Sequence, residues 1–203
     1  LAIARGGRTL VEGVDLSLGA GGRLAIAGPS GLGKSTLLDT LAGLIPPAHG
    51  RVERQGSARK PLALQKLYQD PPSAFASRVS LKAGFDDLLR RHRISRETIN
   101  GLIERLGLSP ALLERRPTAV SGGELQRLAL ARVLALNPSI ILADEPTSRL
   151  DPVTQRSVME VIGEIHREAD TAVVLVTHNL TLAKRWAGAV LDLQGYAKQE
   201  ATH

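Results

Sequence analysis

Gly28, Pro29, Ser30, Gly31, Leu32, Gly33, Lys34, Ser35 and Thr36 place glycines, one lysine and two adjacent hydroxyls in a single short stretch. The order fits the pattern G-x-x-x-x-G-K-[ST]. Each residue type has a job in holding a phosphate chain. Gly31 and Gly33 let backbone amides turn inward around an anion without a Cβ clash. A helix starting near Lys34 would aim its free amides and positive dipole at the phosphates. Lys34 would put a positive charge beside the β- and γ-phosphates. Ser35 offers a hydroxyl ligand to Mg²⁺, and Thr36 can bond a further phosphate oxygen. A chance glycine turn is the plain alternative, but a strand before it and a helix after it argue against chance. The stretch by itself does not separate a kinase from a GTPase or a motor ATPase.

A second chemical pair is Asp144 and Glu145, which close the apolar run of residues 140–143. Adjacent carboxylates at the end of a buried strand are costly unless a cation waits there. Strands of open α/β sheets bind ligands at their carboxyl ends. Asp144 would then join the Mg²⁺ shell, and Glu145 would polarise an attacking water. A third feature is Ser121, Gly122, Gly123 and Glu124, directly before a helical stretch. It makes a second anion-binding helix start. It equally reads as an ordinary N-cap, with Ser121 and Glu124 as capping-box partners. The two readings are compatible.

These residues need elements to position them. Residues 11–18 alternate apolar and polar types, as a half-buried strand does. Residues 23–27 form a short apolar run ending in glycine. Residues 35–44 have helical spacing, with Leu37, Leu38, Leu41 and Leu44 on one side and Pro46-Pro47 as the expected stop. Residues 65–69 read as another short strand. From 79 to about 136 three helical stretches follow one another, an all-helical insertion. After it, strands at 140–143, 172–176 and 189–193 alternate with helices at 153–167 and 180–186. That alternation implies a mostly parallel sheet.

Composition narrows the classes. The chain has 203 residues, no cysteine, 20 glycines, a 43% hydrophobic fraction and a formal charge of +6. The hydrophobic fraction argues for a globular protein rather than disorder. No disulfide scaffold or thiolate-bound metal centre is available without cysteine, which suits a reducing compartment. One Trp, two Tyr and two Phe make the core aliphatic. The excess charge is largely arginine: Arg51, Arg54, Arg59, Arg90, Arg91, Arg93, Arg115 and Arg116. Nothing aromatic is interleaved with these charges as base stacking would need, so a solvated face is favoured over a nucleic-acid surface. No apolar run approaches the roughly 20 residues that span a bilayer, and no signal peptide is visible. A soluble, cytoplasmic chain is the expectation. The chain begins at Leu1 rather than a methionine, which leaves its natural start open.

Taken together, the phosphate loop, the Asp144-Glu145 pair and Ser121-Gly122-Gly123-Glu124 resemble the nucleotide-binding subunit of ATP-binding cassette (ABC) proteins. The usual signature reads L-S-G-G-Q, so Val120 and Glu124 are mild departures. Further segments resemble the family in order. Tyr68-Gln69-Asp70-Pro71 looks like the Q-loop, where Gln69 would contact Mg²⁺ or water and report to a membrane partner. Pro146 to Asp151 looks like the D-loop, which crosses a dimer interface. Val176-Thr177-His178-Asn179 looks like the switch segment, with His178 reaching the γ-phosphate. In isolation Gln69 and His178 would pass for surface hydrogen-bonding residues. By contrast His49, His92, His166 and His203 match nothing and are expected at the surface, and Met159 is expected in the core.

The resemblance spans nearly the whole chain and implies a P-loop NTPase (RecA-like) α/β core with an N-terminal antiparallel β part. It implies one cassette over residues 1–203, with 1–78 and 138–203 as core and 79–137 as the helical signature subdomain. Two such cassettes, identical or not, would sandwich two ATP molecules head to tail. Each phosphate loop would face the other's Ser121 to Gly123, and closure and hydrolysis would drive transmembrane permease subunits. ATP and Mg²⁺ are the implied cofactors. Implied partners are the permease, a second cassette and a solute-binding protein, with no nucleic acid. The implied place is the cytoplasmic face of the bacterial inner membrane, as a peripheral subunit, which the basic charge would suit. The Q-loop and D-loop look most like peptide, opine or nickel importers. The alternative is a soluble ABC-type ATPase acting on DNA or ribosomes, for which coiled coils, zinc cysteines and a second cassette are missing. A P-loop kinase has no use for Ser121 to Gly123 or His178. One departure stands out: the aromatic ring that usually stacks on adenine is replaced by Arg5, whose guanidinium plane can also stack on a base.

Overall fold

The computed structural model describes residues 1–148 and 150–197. Arg149 of the D-loop segment and His203 lie outside the described residues. Five strands form one parallel sheet in the order β4-β5-β6-β3-β7. These are β3 (Arg23–Ala27), β4 (Leu64–Leu67), β5 (Ile140–Asp144), β6 (Ala172–Val176) and β7 (Ala189–Asp192). A separate antiparallel hairpin pairs β1 (Ile3–Arg5) with β2 (Arg8–Val11). The expected α/β class and N-terminal antiparallel part are both present.

The central strands read as almost unbroken apolar runs because both sheet faces are covered. All five residues of β6 are buried. Side chains still alternate between faces. Leu142, Val174 and Val176 pack with Ile26, Leu37, Leu38 and the hairpin's Ile3 and Val11. Ile141, Ala143, Val173 and Leu175 pack on the opposite face. That second core holds α2 (Leu81–His92), α3 (Arg96–Arg105), α4 (Gly122–Leu134) and α5 (Pro152–Ala169). The helical block therefore has no separate core: Leu125, Leu128 and Leu130 of α4 belong to the same cluster as the sheet. Met159 is buried there, as expected.

Several expectations need correction. Residues 12–18 do not form a strand: β2 ends at Val11. Their alternation is real in burial, with Val14 at 3% exposure between exposed neighbours. Yet the segment docks at isolated points, such as the pair of bonds that Val14 and Leu1 exchange, rather than by a ladder. Helix α1 (Lys34–Ala42) stops before Leu44, which is 57% exposed. The stop is Gly43 at φ 77°, whose amide closes onto the Asp39 and Thr40 carbonyls. Pro46-Pro47 come after the helix has ended. Strand β4 covers Leu64–Leu67, so Tyr68 and Gln69 belong to the loop beyond it. His49 and His92 are exposed, whereas His166 is half-buried with Nδ1 2.9 Å from the Thr171 carbonyl.

Candidate functional site

Because every strand of the main sheet is parallel, all carboxyl ends lie on one edge. In register, Ile26 of β3 and Asp144 of β5 both sit opposite Val176 of β6, and Leu67 of β4 sits opposite Ala143. Four chain segments therefore leave the sheet side by side: residues 28–33 after β3, Tyr68 and Gln69 after β4, Glu145 after β5, and Thr177 and His178 after β6. This is where open α/β sheets bind ligands.

The loop from Gly28 to Gly33 needs its glycines. Gly28, Gly31 and Gly33 have φ of 140°, 85° and 92°, a region L-residues avoid. Gly33 has a second constraint, since an added Cβ would lie 3.0 Å from Leu10 Cδ1 of the hairpin. Pro29, Ser30 and Gly31 are exposed, and Leu32 is half-buried. Helix α1 opens at Lys34 with no side-chain cap, so its first amides have no capping side chain. Thr36 is buried at 4% exposure. Lys34 is 6% exposed, and its ammonium donates to the Gly28 and Pro29 carbonyls, each at 2.8 Å. The charge thus rests on the floor of the loop instead of projecting from it.

Asp144 and Glu145 are neighbours with opposite settings. Asp144 is 4% exposed, and its Oδ1 is buried without a hydrogen-bond partner. Burial pushes the Asp144 carboxyl pKa up, against the Ser35 side chain and the Lys66 ammonium, which pull it down. Glu145 sits at φ 45°, a left-handed backbone that costs a side chain about 1 kcal/mol. Bonds from its amide to the Val176 carbonyl and from Ser148 to its own carbonyl hold the turn. The turn aims its carboxylate between two segments. Gln69 Nε2 donates to Glu145 Oε2 at 3.3 Å, and His178 Nδ1 lies 3.2 Å from Glu145 Oε1. The structure thus brings together Gln69, Glu145 and His178, three residues spread over most of the sequence.

Ser121, Gly122, Gly123 and Glu124 occupy another place. Ser121 caps α4, and its side chain accepts from the Glu124 amide at 3.3 Å. Glu124 Oε2 accepts from the Ser121 amide at 3.0 Å and from its hydroxyl at 2.6 Å, which completes a capping box. These bonds hold the Glu124 carboxyl below the usual carboxylate range. An added Cβ at Gly123 would lie 3.2 Å from Leu150 Cδ2, so this helix start adjoins the segment leading to Asp151. Asp151 in turn caps α5, accepting from the Val153 and Thr154 amides at 3.0 Å; the Thr154 side chain and these amides hold its carboxyl below the usual range. Arg5 is exposed at the end of β1. The hydrogen bonds that gather Gln69, Glu145 and His178 reach none of Ser121, Gly122, Gly123, Glu124, Asp151 or Arg5. Ser121→Ala is expected to cost about 1 kcal/mol through the lost cap. That is a fall of about 2–4 °C in Tm by thermal unfolding.

One charged pair has no counterpart among the expected residues. Lys66 on β4 is 8% exposed at its side chain and lies 2.5 Å from Asp39 Oδ1 and 3.8 Å from Asp144 Oδ2. The one signal in the sequence is a lysine inside a short strand.

The donor set can be tested against a divalent cation. No group of three or more His, Asp or Glu side chains suited to a metal occurs among the described residues. Mg²⁺ does not require one; it takes one or two carboxylates and completes its shell with water and phosphate. The Asp144 carboxyl, with its Oδ1 unpartnered and the Ser35 side chain acting on the same group, fits that demand. No helix among the described residues is long and apolar enough to cross a membrane.

Comparison with known proteins gives the family of the chain. The ABC transporter family model matches residues 11–148. The chain is 35% identical over 199 residues to the nickel import ATP-binding protein NikE of Brucella abortus, covering 91% of this chain and 75% of that one. It is 35% identical to the probable D,D-dipeptide transport ATP-binding protein DdpF of Escherichia coli, covering 89% of this chain and 59% of the relative. The fold superposes on the dimeric post-hydrolysis ATP-binding cassette MJ0796 bound to ADP and Pi. The TM-score is 0.81 at 26% identity, over 98% of this chain and 93% of that one. The chain belongs to the ABC transporter family, as an ATP-binding and ATP-hydrolysing cassette.

Proposed function

We propose that this cassette powers the import of a small solute through separate transmembrane permease subunits, from the cytoplasmic face of a bacterial inner membrane. A peptide, an opine or a nickel or other metal chelate is the proposed cargo class, supported by the 35% identity to a nickel and a dipeptide transport ATPase. A solute-binding protein would deliver that cargo to the permease. Residues 1–78 and 138–203 are the proposed core, and 79–137 the arm that carries the signature. Transport rather than work on DNA or ribosomes is supported by the relatives, which are named as import and transport proteins.

The observation that carries the catalytic reading is the Glu145 carboxylate held between Gln69 and His178 at the sheet's carboxyl edge. In this reading the amides of residues 28–36 cradle the phosphates. Lys34 exchanges its two carbonyl partners for phosphate oxygens, and Thr36 bonds a further oxygen. Ser35, Gln69 and Asp144 would hold Mg²⁺, which when bound supplies positive charge that offsets the phosphate oxygens. Glu145 orients the attacking water and takes its proton, while His178 turns toward the γ-phosphate. Ser121, Gly122, Gly123 and Glu124, with Asp151 at the crossing, complete the site of a second cassette, because a sandwich supplies the helix start that one chain's cluster lacks. The pairing is supported by the dimeric neighbour.

Arg5 is the proposed base platform. An aromatic ring stacks on a base with about 1–3 kcal/mol, against about 0.5–1 for an exposed guanidinium on a ring. Arg5→Tyr is therefore expected to tighten ATP about fivefold by equilibrium binding. An unchanged ratio of ATP to GTP affinity removes Arg5 from the base site. The import reading is tested by purifying the chain from detergent-solubilised membranes. The expected companion is a polytopic permease; recovery with ribosomes or DNA and no permease would overturn the reading.

A further inference from the structure

ATP hydrolysis by Glu145, Gln69 and His178 makes no use of Lys66, yet this ammonium is one of the most enclosed charges in the molecule, with its side chain 8% exposed. It stands in the middle of β4, opposite Leu142 in parallel register. Leu142 packs on the face covered by α1, and Asp144, two residues on, shares that face. The Lys66 side chain therefore runs beneath α1 to Asp39, on the side of Asp144. Three groups hold it there. Asp39 Oδ1 of α1 is 2.5 Å away, Asp144 Oδ2 is 3.8 Å away, and the Tyr68 ring lies 4.8 Å below it. Asp39 is itself only 32% exposed at its side chain, so its hold on Lys66 is poorly screened. The other oxygen of Asp144, Oδ1, is buried without a hydrogen-bond partner.

An aliphatic residue would fill a strand interior at lower cost, since a buried ammonium needs its counter-ions. Its placement answers a need of the site. Asp144 brings a negative charge to the place where a nucleotide brings several more. Until a divalent cation is present, that carboxylate repels the phosphates. An ammonium beside Asp144 relieves the repulsion, and a divalent cation then competes with it for the same carboxylate.

We infer that Lys66 is a positioning residue, a built-in counter-ion of Asp144 that Asp39 holds partly aside, and that the pair sets how strongly nucleotide binding depends on Mg²⁺. The inference rests on the reading of Asp144 as the Mg²⁺ carboxylate. It goes beyond it in assigning Lys66 and Asp39, to which that reading gives no part in holding nucleotide or metal.

The experiment measures equilibrium binding of a fluorescent ATP analogue twice, in EDTA and in saturating Mg²⁺, and compares the ratio of the two Kd values. Lys66→Met is expected to weaken binding in EDTA while leaving or improving it in Mg²⁺, so the ratio rises about tenfold. Asp39→Asn frees Lys66 to face Asp144, so the ratio falls. Placed on the Lys66→Met background, Asp39→Asn should lose most of its effect, the mark of a coupled pair. A packing role for Lys66 would lower both affinities together and leave the ratio unmoved. An unchanged ratio in Lys66→Met, or an Asp39→Asn effect that persists in full without Lys66, overturns the inference. Should Lys66→Met not fold, the direction of the Asp39→Asn shift decides alone, a fall supporting the inference and no fall or a rise overturning it. Asp144→Asn separates the two layers. Its ratio should collapse toward one; a ratio as large as in the parent chain overturns the metal reading itself and leaves Lys66 without a role to set.

Discussion

Glu145→Gln should bind ATP and pair with a second cassette while hydrolysing ATP about 10²- to 10⁴-fold more slowly than the parent chain. The substitution keeps the size and hydrogen-bonding reach of the side chain. An amide oxygen can still accept the bond from Gln69 that now ends on Oε2 at 3.3 Å. What it cannot do is take a proton from water. The left-handed turn at φ 45° is a backbone property and should survive. Release of phosphate in steady state is the measurement, with binding of labelled ATP as the control. Near-normal turnover would mean that Glu145 is held in place for some other reason.

Lys34→Ala should lose ATP rather than merely slow its hydrolysis. A charge-assisted bond to phosphate is worth about 1.5–3 kcal/mol, so the Kd should rise roughly 10- to 150-fold. The side chain is enclosed, at 6% exposure, and bonded to the Gly28 and Pro29 carbonyls at 2.8 Å. Its removal therefore also frees two loop carbonyls. A Tm measured without nucleotide separates the effects: a change of a few degrees with a large loss of affinity is the expected pattern. Unchanged affinity would place the phosphates elsewhere.

Much of this site is legible in the amino-acid sequence alone. Local backbone geometry dictates Gly28 to Thr36, and the glycines do stand at positive φ. The apolar run before Asp144 marks a buried strand, and parallel strands send their carboxyl ends to one edge. Ser121 and Glu124 are legible as a capping box because the two partners are only three residues apart. Gln69 and His178 are harder. Alone, each is an ordinary polar residue, and only the order of the surrounding segments marks them. That their side chains meet on Glu145 depends on three loops coming together, which no local pattern encodes.

Where the sequence pattern misleads, the reasons are physical as well. Residues 12–18 alternate because one side of an extended segment is covered, and burial alternates with or without a ladder partner. Leu44 continues the leucine spacing of α1, but Gly43 adopts the left-handed closing conformation and ends the helix first. Lys66 gives little signal because a charged residue in a short strand reads as a side chain facing water, whereas this one is enclosed at 8% exposure. Its partner Asp39 lies on α1, and only tertiary packing brings the two within 2.5 Å.

The central claim is that two chains close around ATP and that Glu145 then drives its hydrolysis. Incubating Glu145→Gln with ATP and Mg²⁺, isolating the paired species by size-exclusion chromatography and identifying its bound nucleotide tests this most directly. The account predicts a dimer that retains two ATP molecules, where the parent chain yields ADP and falls back to single chains. A monomer with ATP bound, or a dimer that carries ADP, would contradict it.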